Sequence, residues 1–212
     1  MNTIRHVWFD LAGTLYKETA EFQILHDKFR YQTYAKLTNV SDPGVAKKEF
    51  DKLYGEHGSN SAVFRSLGQS SDYWMQAIES MDFNSVLQPD REITQTLEQL
   101  RNIVPISLFT NFPKTRLVTL LSHLEIPREY FTHILTGDDI KERKPALDGF
   151  HLMIKESALP SNQILYIGDR IDVDIKPAKS VGILAGLLYG EAPDADFCFS
   201  TFSDILNLFS NC

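Results

Sequence analysis

Along the 212 residues, short runs of consecutive apolar side chains alternate with longer stretches in which apolar residues recur every three or four positions. The clearest runs are Val7-Trp8-Phe9, Ile106-Ser107-Leu108-Phe109, Ile164-Leu165-Tyr166-Ile167 and Ile183-Leu184-Ala185-Gly186-Leu187-Leu188. Strands without polar alternation are covered on both faces, as in a parallel sheet. His133-Ile134-Leu135 and Phe197-Cys198-Phe199 are weaker strand candidates. Helical periodicity fills the intervals at Glu92–Leu100, Lys114–Leu124, Leu147–Lys155 and Ser203–Phe209. The pattern predicts βα units around a parallel sheet flanked by helices, an α/β fold.

Residues 16–88 break this rhythm, because their helix-like stretches, rich in Tyr, Phe, Lys and Glu, hold no convincing buried strand. They read as a helical insertion. Ser41-Asp42-Pro43-Gly44 and Gly58-Ser59-Asn60-Ser61 read as loops inside it, and Pro89-Asp90 marks the return to the sheet. The aromatics Phe22, Phe29, Tyr31, Tyr34, Phe50, Tyr54, Phe64, Tyr73 and Trp74 are expected to form the insertion's own core, with a minority facing a substrate.

Composition narrows the function classes. At 43% hydrophobic and 23% charged, the chain has the material for a soluble core. Its net charge of −7 removes the usual electrostatic warrant for nucleic-acid or anionic-membrane binding. Met1-Asn2-Thr3-Ile4-Arg5-His6 leads into an apolar run that Asp10 interrupts, so neither a signal peptide nor a membrane span is expected. Cys198 and Cys212 are the only cysteines and cannot build a disulfide framework, which makes a reducing cytoplasm the expected setting. Cys198, inside a strand-like run, is expected to be a buried thiol.

In parallel α/β sheets, ligands bind beyond the carboxyl ends of the strands. Asp10-Leu11-Ala12-Gly13-Thr14 follows the first run, Thr110-Asn111 the second, and Gly168-Asp169-Arg170-Ile171-Asp172-Val173-Asp174 the third. Lys141-Glu142-Arg143-Lys144-Pro145 precedes a helix. Folding would gather their carboxylates, a hydroxyl and a lysine on one rim.

These four segments, in this order, resemble the four motifs of the haloacid dehalogenase-like (HAD) hydrolase superfamily. The resemblance covers residues 4–15 and about 90–200. It implies a Rossmann-like core domain from residues 1–15 and 89–212 and, at 16–88, the helical cap inserted after the first motif. It also implies phosphoryl transfer from a small phosphorylated metabolite, with Mg²⁺ as cofactor. An aspartate can divide such a transfer into formation and hydrolysis of an aspartyl phosphate, and the resemblance gives this role to Asp10. It assigns the metal to Asp10, the backbone carbonyl of Ala12 and Asp169, with Asp174 behind them orienting a bound water or Lys144. Thr110 and Asn111 would bind the phosphoryl group, and Lys144 would neutralise its developing charge.

Taken without the motifs, the other charged residues have ordinary explanations. Asp172 is expected to cap the helix that starts there in preference to touching the metal directly, Arg170, Arg143 and Lys141 to be rim charges, and His57, His123, His133 and His151 to serve packing or the surface.

One position departs from the superfamily's phosphatases, which carry a second aspartate where this chain has Ala12. A methyl group transfers no proton, and losing a general acid or base typically costs about 10²- to 10⁴-fold in rate. Three readings follow. The chain is a phosphatase that is slow, acts on a good leaving group or recruits Glu18 or His26 as acid; or it is a non-catalytic phosphate-ligand binding or regulatory protein. The third reading rests on Asp-x-Ala-Gly-Thr, which resembles the first motif of phosphonoacetaldehyde hydrolase and would need a cap lysine such as Lys47, Lys48 or Lys52 as Schiff base. Neither the substrate nor the oligomeric state is written in the sequence.

Overall fold

A computed structural model describes residues 4–210, so the expectations for Met1–Thr3 and for Cys212 fall outside it. The chain divides into two compact units, one running to Lys17 and resuming at Gln88, the other Glu18–Leu87. Among the described residues, no helix is long and apolar enough to cross a membrane.

The first unit is built on six parallel strands: β1 (His6–Phe9), β2 (Ile106–Phe109), β3 (Ile134–Leu135), β4 (Ile164–Gly168), β5 (Leu184–Leu188) and β6 (Phe197–Phe199). Their spatial order is β3-β2-β1-β4-β5-β6. Val7, Trp8 and Phe9 have no exposed surface, as a central strand requires. Neighbours leave β1 in opposite directions of the sequence, β2 on one side and β4 on the other. That reversal opens a crevice at their carboxyl ends.

Both sheet faces are covered. Among the described residues the α-helices of this unit are α5 (Arg91–Arg101), α6 (Lys114–His123), α7 (Asp148–Ser157) and α8 (Lys176–Ser180), numbered after those of the second unit. Trp8, Phe109 and Tyr166 share a buried cluster with Phe150 and Met153 of α7 and Ala178 of α8, and Trp8 Nε1 donates to Ser157 Oγ at 2.9 Å. Phe9 points the other way and stacks on Phe202 at 5.5 Å. Helix α5 begins where Asp90 accepts from Glu92 N and buries Ile93, Thr96, Leu97 and Leu100, a stripe at helical spacing.

Within the second unit, α1 (Ala20–Thr38), α2 (Pro43–His57), α3 (Asn60–Ser66) and α4 (Tyr73–Glu79) are cut by their caps. Thr19, Asp42 and Ser59 each accept backbone N–H groups as N-caps, and Asn39 and Gly58 end helices in the left-handed conformation. Such an N-cap contributes about 1 kcal/mol. Phe50 sits among Tyr31, Tyr34, Tyr54 and Phe64, while Phe64 stacks on Trp74 at 5.5 Å. Most of the tested aromatics therefore do form this unit's interior.

Three local expectations need correction. Pro43-Gly44 and Asn60-Ser61 are not loop but the first turns of α2 and α3, because Asp42 and Ser59 cap them and proline needs no N–H partner in that place. Ser203–Phe209 is a 3₁₀ segment, not an α-helix; it is tied at its start by Ser203 N and Oγ donating to Glu92 and by Asp204 accepting from Ser200 N and Thr201 N. Cys198 is exposed, because β6 is an edge strand whose inward-facing residue is Phe199.

Two measurements test this packing. A Cβ at Gly149 in α7 would fall on the ring of Phe109. Overpacking costs about 1–3 kcal/mol and outweighs the 0.5–1 kcal/mol that a helix gains from Gly→Ala, so Gly149→Ala lowers the urea midpoint. His6, buried by the Trp8 and His133 rings and bonded to Ser107 Oγ at 2.8 Å, has its pKa lowered to about 4 by burial and, secondarily, by His133. The folded state thus disfavours its charged form: the stabilisation is complete above the unfolded value near 6.5 and is lost as pH falls toward 4. Between pH 7 and 5 unfolding free energy should drop by up to about 2 kcal/mol on this account, and the pH slope should flatten in His6→Gln.

Candidate active site

The residues that end β1 and β4 lie side by side, since Phe9 pairs with Ile167 and Asp10 N donates to Ile167 O at 2.8 Å. Asp10 and Asp169 therefore flank the crevice. Thr110 comes to the same rim on β2, where Phe9 is level with Leu108. Its N–H is held by Leu135 O and its Oγ1 accepts from Phe112 N at 3.2 Å.

At the centre is Lys144. Its Nζ donates to Asp10 Oδ1 at 2.6 Å, to Asp174 Oδ1 at 2.8 Å and to the Tyr166 hydroxyl at 2.6 Å. Tyr166 in turn donates to Asp174 Oδ1 at 3.0 Å. Burial raises Asp10 to about 6 and Asp174 adds to that push, against the pull of the Lys144 ammonium. Burial works to lower Lys144 too, but the charges of Asp10 and Asp174 outweigh it and the lysine is raised. The ammonium stays charged.

Asn111 and Arg143 fix the loop that carries this lysine. The Asn111 carboxamide accepts from Lys144 N at 2.8 Å and donates to Lys144 O at 3.0 Å, which commits it to the main chain beyond the substrate contact expected of it. Arg143 Nε donates to Asn111 O at 3.1 Å, so it is more than a rim charge.

Asp174 reaches the cluster through local geometry that spacing alone does not show. Ile171–Ile175 forms a π-helical turn ahead of α8, in which Asp174 Oδ2 accepts from Arg170 N at 3.2 Å. Single π turns are rare and are found frequently at functional sites. A Cβ on Gly168 would lie 2.6 Å from Asp174 Cγ, so only glycine leaves that carboxylate its place. Asp172 does not cap the turn; it is exposed and pairs with Lys176 at 2.7 Å, which lowers its pKa.

Carboxylate oxygens of Asp10, Asp169 and Asp174 all lie within 4.8 Å of one another. This all-oxygen, anionic donor set fits a hard divalent cation such as Mg²⁺. Gly13, at φ +76°, completes the cradle, because a Cβ there would run into the Asp169 carboxylate. Ala12 is half-buried in the same turn. A separate cavity of about 350 Å³, lined by Leu117, Leu121, Ile126 and Ile134, contains none of these residues.

The family model for haloacid dehalogenase-like hydrolases matches residues 7–186. The chain belongs to this family. Relatives of this HAD protein include the phosphoglycolate phosphatases of Photorhabdus laumondii, 34% identical over 125 residues (55% of this chain and 53% of that one), and of Escherichia coli K12, 34% identical over 111 residues (49% and 43%). The chain spans about half the length of these curated relatives. Its fold is that of a HAD phosphatase from Thermococcus onnurineus, with TM-score 0.73, 24% identity and 98% of each chain covered. It is also that of magnesium-bound YfnB from Bacillus subtilis, for which interdomain movement is described, with TM-score 0.66, 14% identity and 98% and 99% covered.

One member of the cluster escaped sequence reasoning. Tyr166 reads as an apolar strand residue, and the only signal for it was its parity with Gly168, two positions along β4.

Proposed function

We propose that this HAD hydrolase is a Mg²⁺-dependent phosphatase of a small phosphorylated metabolite, working in the cytoplasm, with residues 16–88 as its cap. The observation that carries this reading is the buried Asp10–Lys144–Asp174 cluster with Asp169 beside it. Asp10 attacks phosphorus, the bond to the leaving oxygen breaks with its electron pair, and that oxygen takes a proton from solvent. Water then attacks the aspartyl phosphate, releasing phosphate and restoring the carboxylate. Lys144 offsets the charge on the transferring group, and the Thr110 hydroxyl and Asn111 help to hold it. Asp10, the Ala12 carbonyl and Asp169 would hold Mg²⁺, which supplies positive charge to the phosphoryl oxygens, and Asp174 stands behind them bonded to Lys144.

Two of the alternatives lose one candidate residue each. A Schiff-base lysine must lose its proton, yet exposed Lys47 is bonded to Asp51 and Tyr31, which raise its pKa. His26 is an unpromising replacement for the missing acid, because burial lowers its pKa to about 4 and leaves it uncharged at neutral pH. Glu18 aside, solvent is the proton source that Ala12 leaves. The site therefore favours substrates whose leaving oxygen is stable as an anion.

A panel of phosphate esters that includes phosphoglycolate and p-nitrophenyl phosphate, assayed with Mg²⁺, tests the reading. Turnover abolished by Asp10→Asn and by EDTA is expected; binding of phosphate without turnover of any ester would leave a binding protein. Ala12→Asp should raise hydrolysis of alkyl phosphates by about 10²-fold and that of p-nitrophenyl phosphate much less. An equal effect on both, or none, removes the leaving-group explanation.

A further inference from the structure

Tyr166 has a duty that the four motifs do not contain. Its ring stands in an aromatic wall, edge-on to Phe150 at 5.3 Å, where phenylalanine would pack as well. Its oxygen, wholly buried, touches two charged groups: it accepts from Lys144 and donates to Asp174. Burying a hydroxyl in an apolar wall costs free energy unless its bonds are made. Here both bonds are made to the catalytic cluster.

An ammonium group has three N–H bonds to give. Lys144 spends one on Asp10, one on Asp174 and one on Tyr166. It has none left for a phosphoryl oxygen until one of these is released. The one released by the chemistry is that to Asp10: when its oxygen bonds phosphorus and the leaving oxygen departs with its electron pair, to be protonated by solvent, the carboxylate loses its charge and becomes a poor acceptor. The freed N–H can then turn to the phosphoryl group. Between these two states only Asp174 and Tyr166 hold the ammonium.

We propose that Tyr166 is a positioning residue, whose hydroxyl and Asp174 form a two-point hold that keeps Lys144 still while its third hydrogen bond passes from Asp10 to the transferring phosphoryl group. With the hydroxyl removed, Lys144 is left to swivel about the Asp174 contact alone once Asp10 has let go. The inference rests on the phosphatase reading above. Ring contacts do not replace the hold, since the Phe109 and Tyr166 rings lie 5.1 and 5.3 Å from Nζ and give no direction to individual N–H bonds.

Tyr166→Phe isolates the oxygen and keeps the ring. Assayed on p-nitrophenyl phosphate with Mg²⁺, it should lower kcat by about tenfold or more with KM within about twofold, the signature of an interaction made in the transition state. The thermal midpoint should stay within a few degrees. Because the residue acts through Lys144, the same change in a Lys144→Met background should cost nothing further. An unchanged kcat, a rise in KM alone, or the same loss with and without Lys144 overturns the proposal. Failure of the phosphatase reading looks different, since the wild type is then inactive or survives Asp10→Asn. In that event crystal structures in an Asp10→Ala background, where Asp174 and the Tyr166 hydroxyl alone hold Lys144, decide: Nζ displaced when Tyr166→Phe is added supports the hold, and an unmoved Nζ overturns it.

Discussion

Everything at the carboxyl rim depends on one buried ammonium. Lys144 and Asp174 are almost completely buried and Asp10 nearly so. A lone charge there would be expelled or neutralised, and breaking such a group by removing one partner typically costs about 3–5 kcal/mol. The surrounding features read as conditions for that pairing. Gly168 leaves room for Asp174, the π turn aims it, Asn111 grips both backbone groups of Lys144, and Tyr166 closes the remaining valence. The sheet supplies the meeting place, because β1 and β4 are neighbours with a reversal of chain order between β2 and β4.

How much of this the sequence shows depends on whether the signal is local. Strands buried on both faces appear as uninterrupted apolar runs, and the residues just beyond them are the rim, so Asp10, Thr110 and Asp169 are nominated without coordinates. Lys144 carries no local mark apart from Pro145 and is placed by resemblance. Tyr166 shows only its parity with Gly168, because a tyrosine in an apolar run looks like packing until its oxygen is seen between two charges. Asp172 and Asp174 are alike as sequence; only the π turn sends one inward to Lys144 and the other out to Lys176.

Misread elements fail for a related reason. Turn residues serve helix starts as well as loops, which is why Asp42-Pro43 opens α2. Three residues of strand cannot show which face a neighbour covers, so Cys198 looked buried although the edge position of β6 turns it outward. Tertiary context decides both cases. The helical unit was easier to read, because its interior is made of many aromatics and no single one carries the inference.

The charge balance of the rim also orders the events that the site can support. Three carboxylates and one ammonium leave the cluster with two net negative charges in a medium of low dielectric. A phosphate ester, itself a dianion near neutral pH, is repelled by that arrangement at short range. On the proposed reading, a divalent cation held by Asp10 and Asp169 would cancel the deficit and lower the tendency of Asp10 to bind a proton, which burial raises. On that reading the cation would precede or accompany the ester. Ala12 does not disturb this electrostatic sequence, because its side chain contributes no charge to it; the alanine removes a proton donor and leaves the attraction for the anion intact. On the proposed phosphatase reading, binding and the first bond change are thus separable from leaving-group protonation, and only the last is put in question by the sequence at position 12.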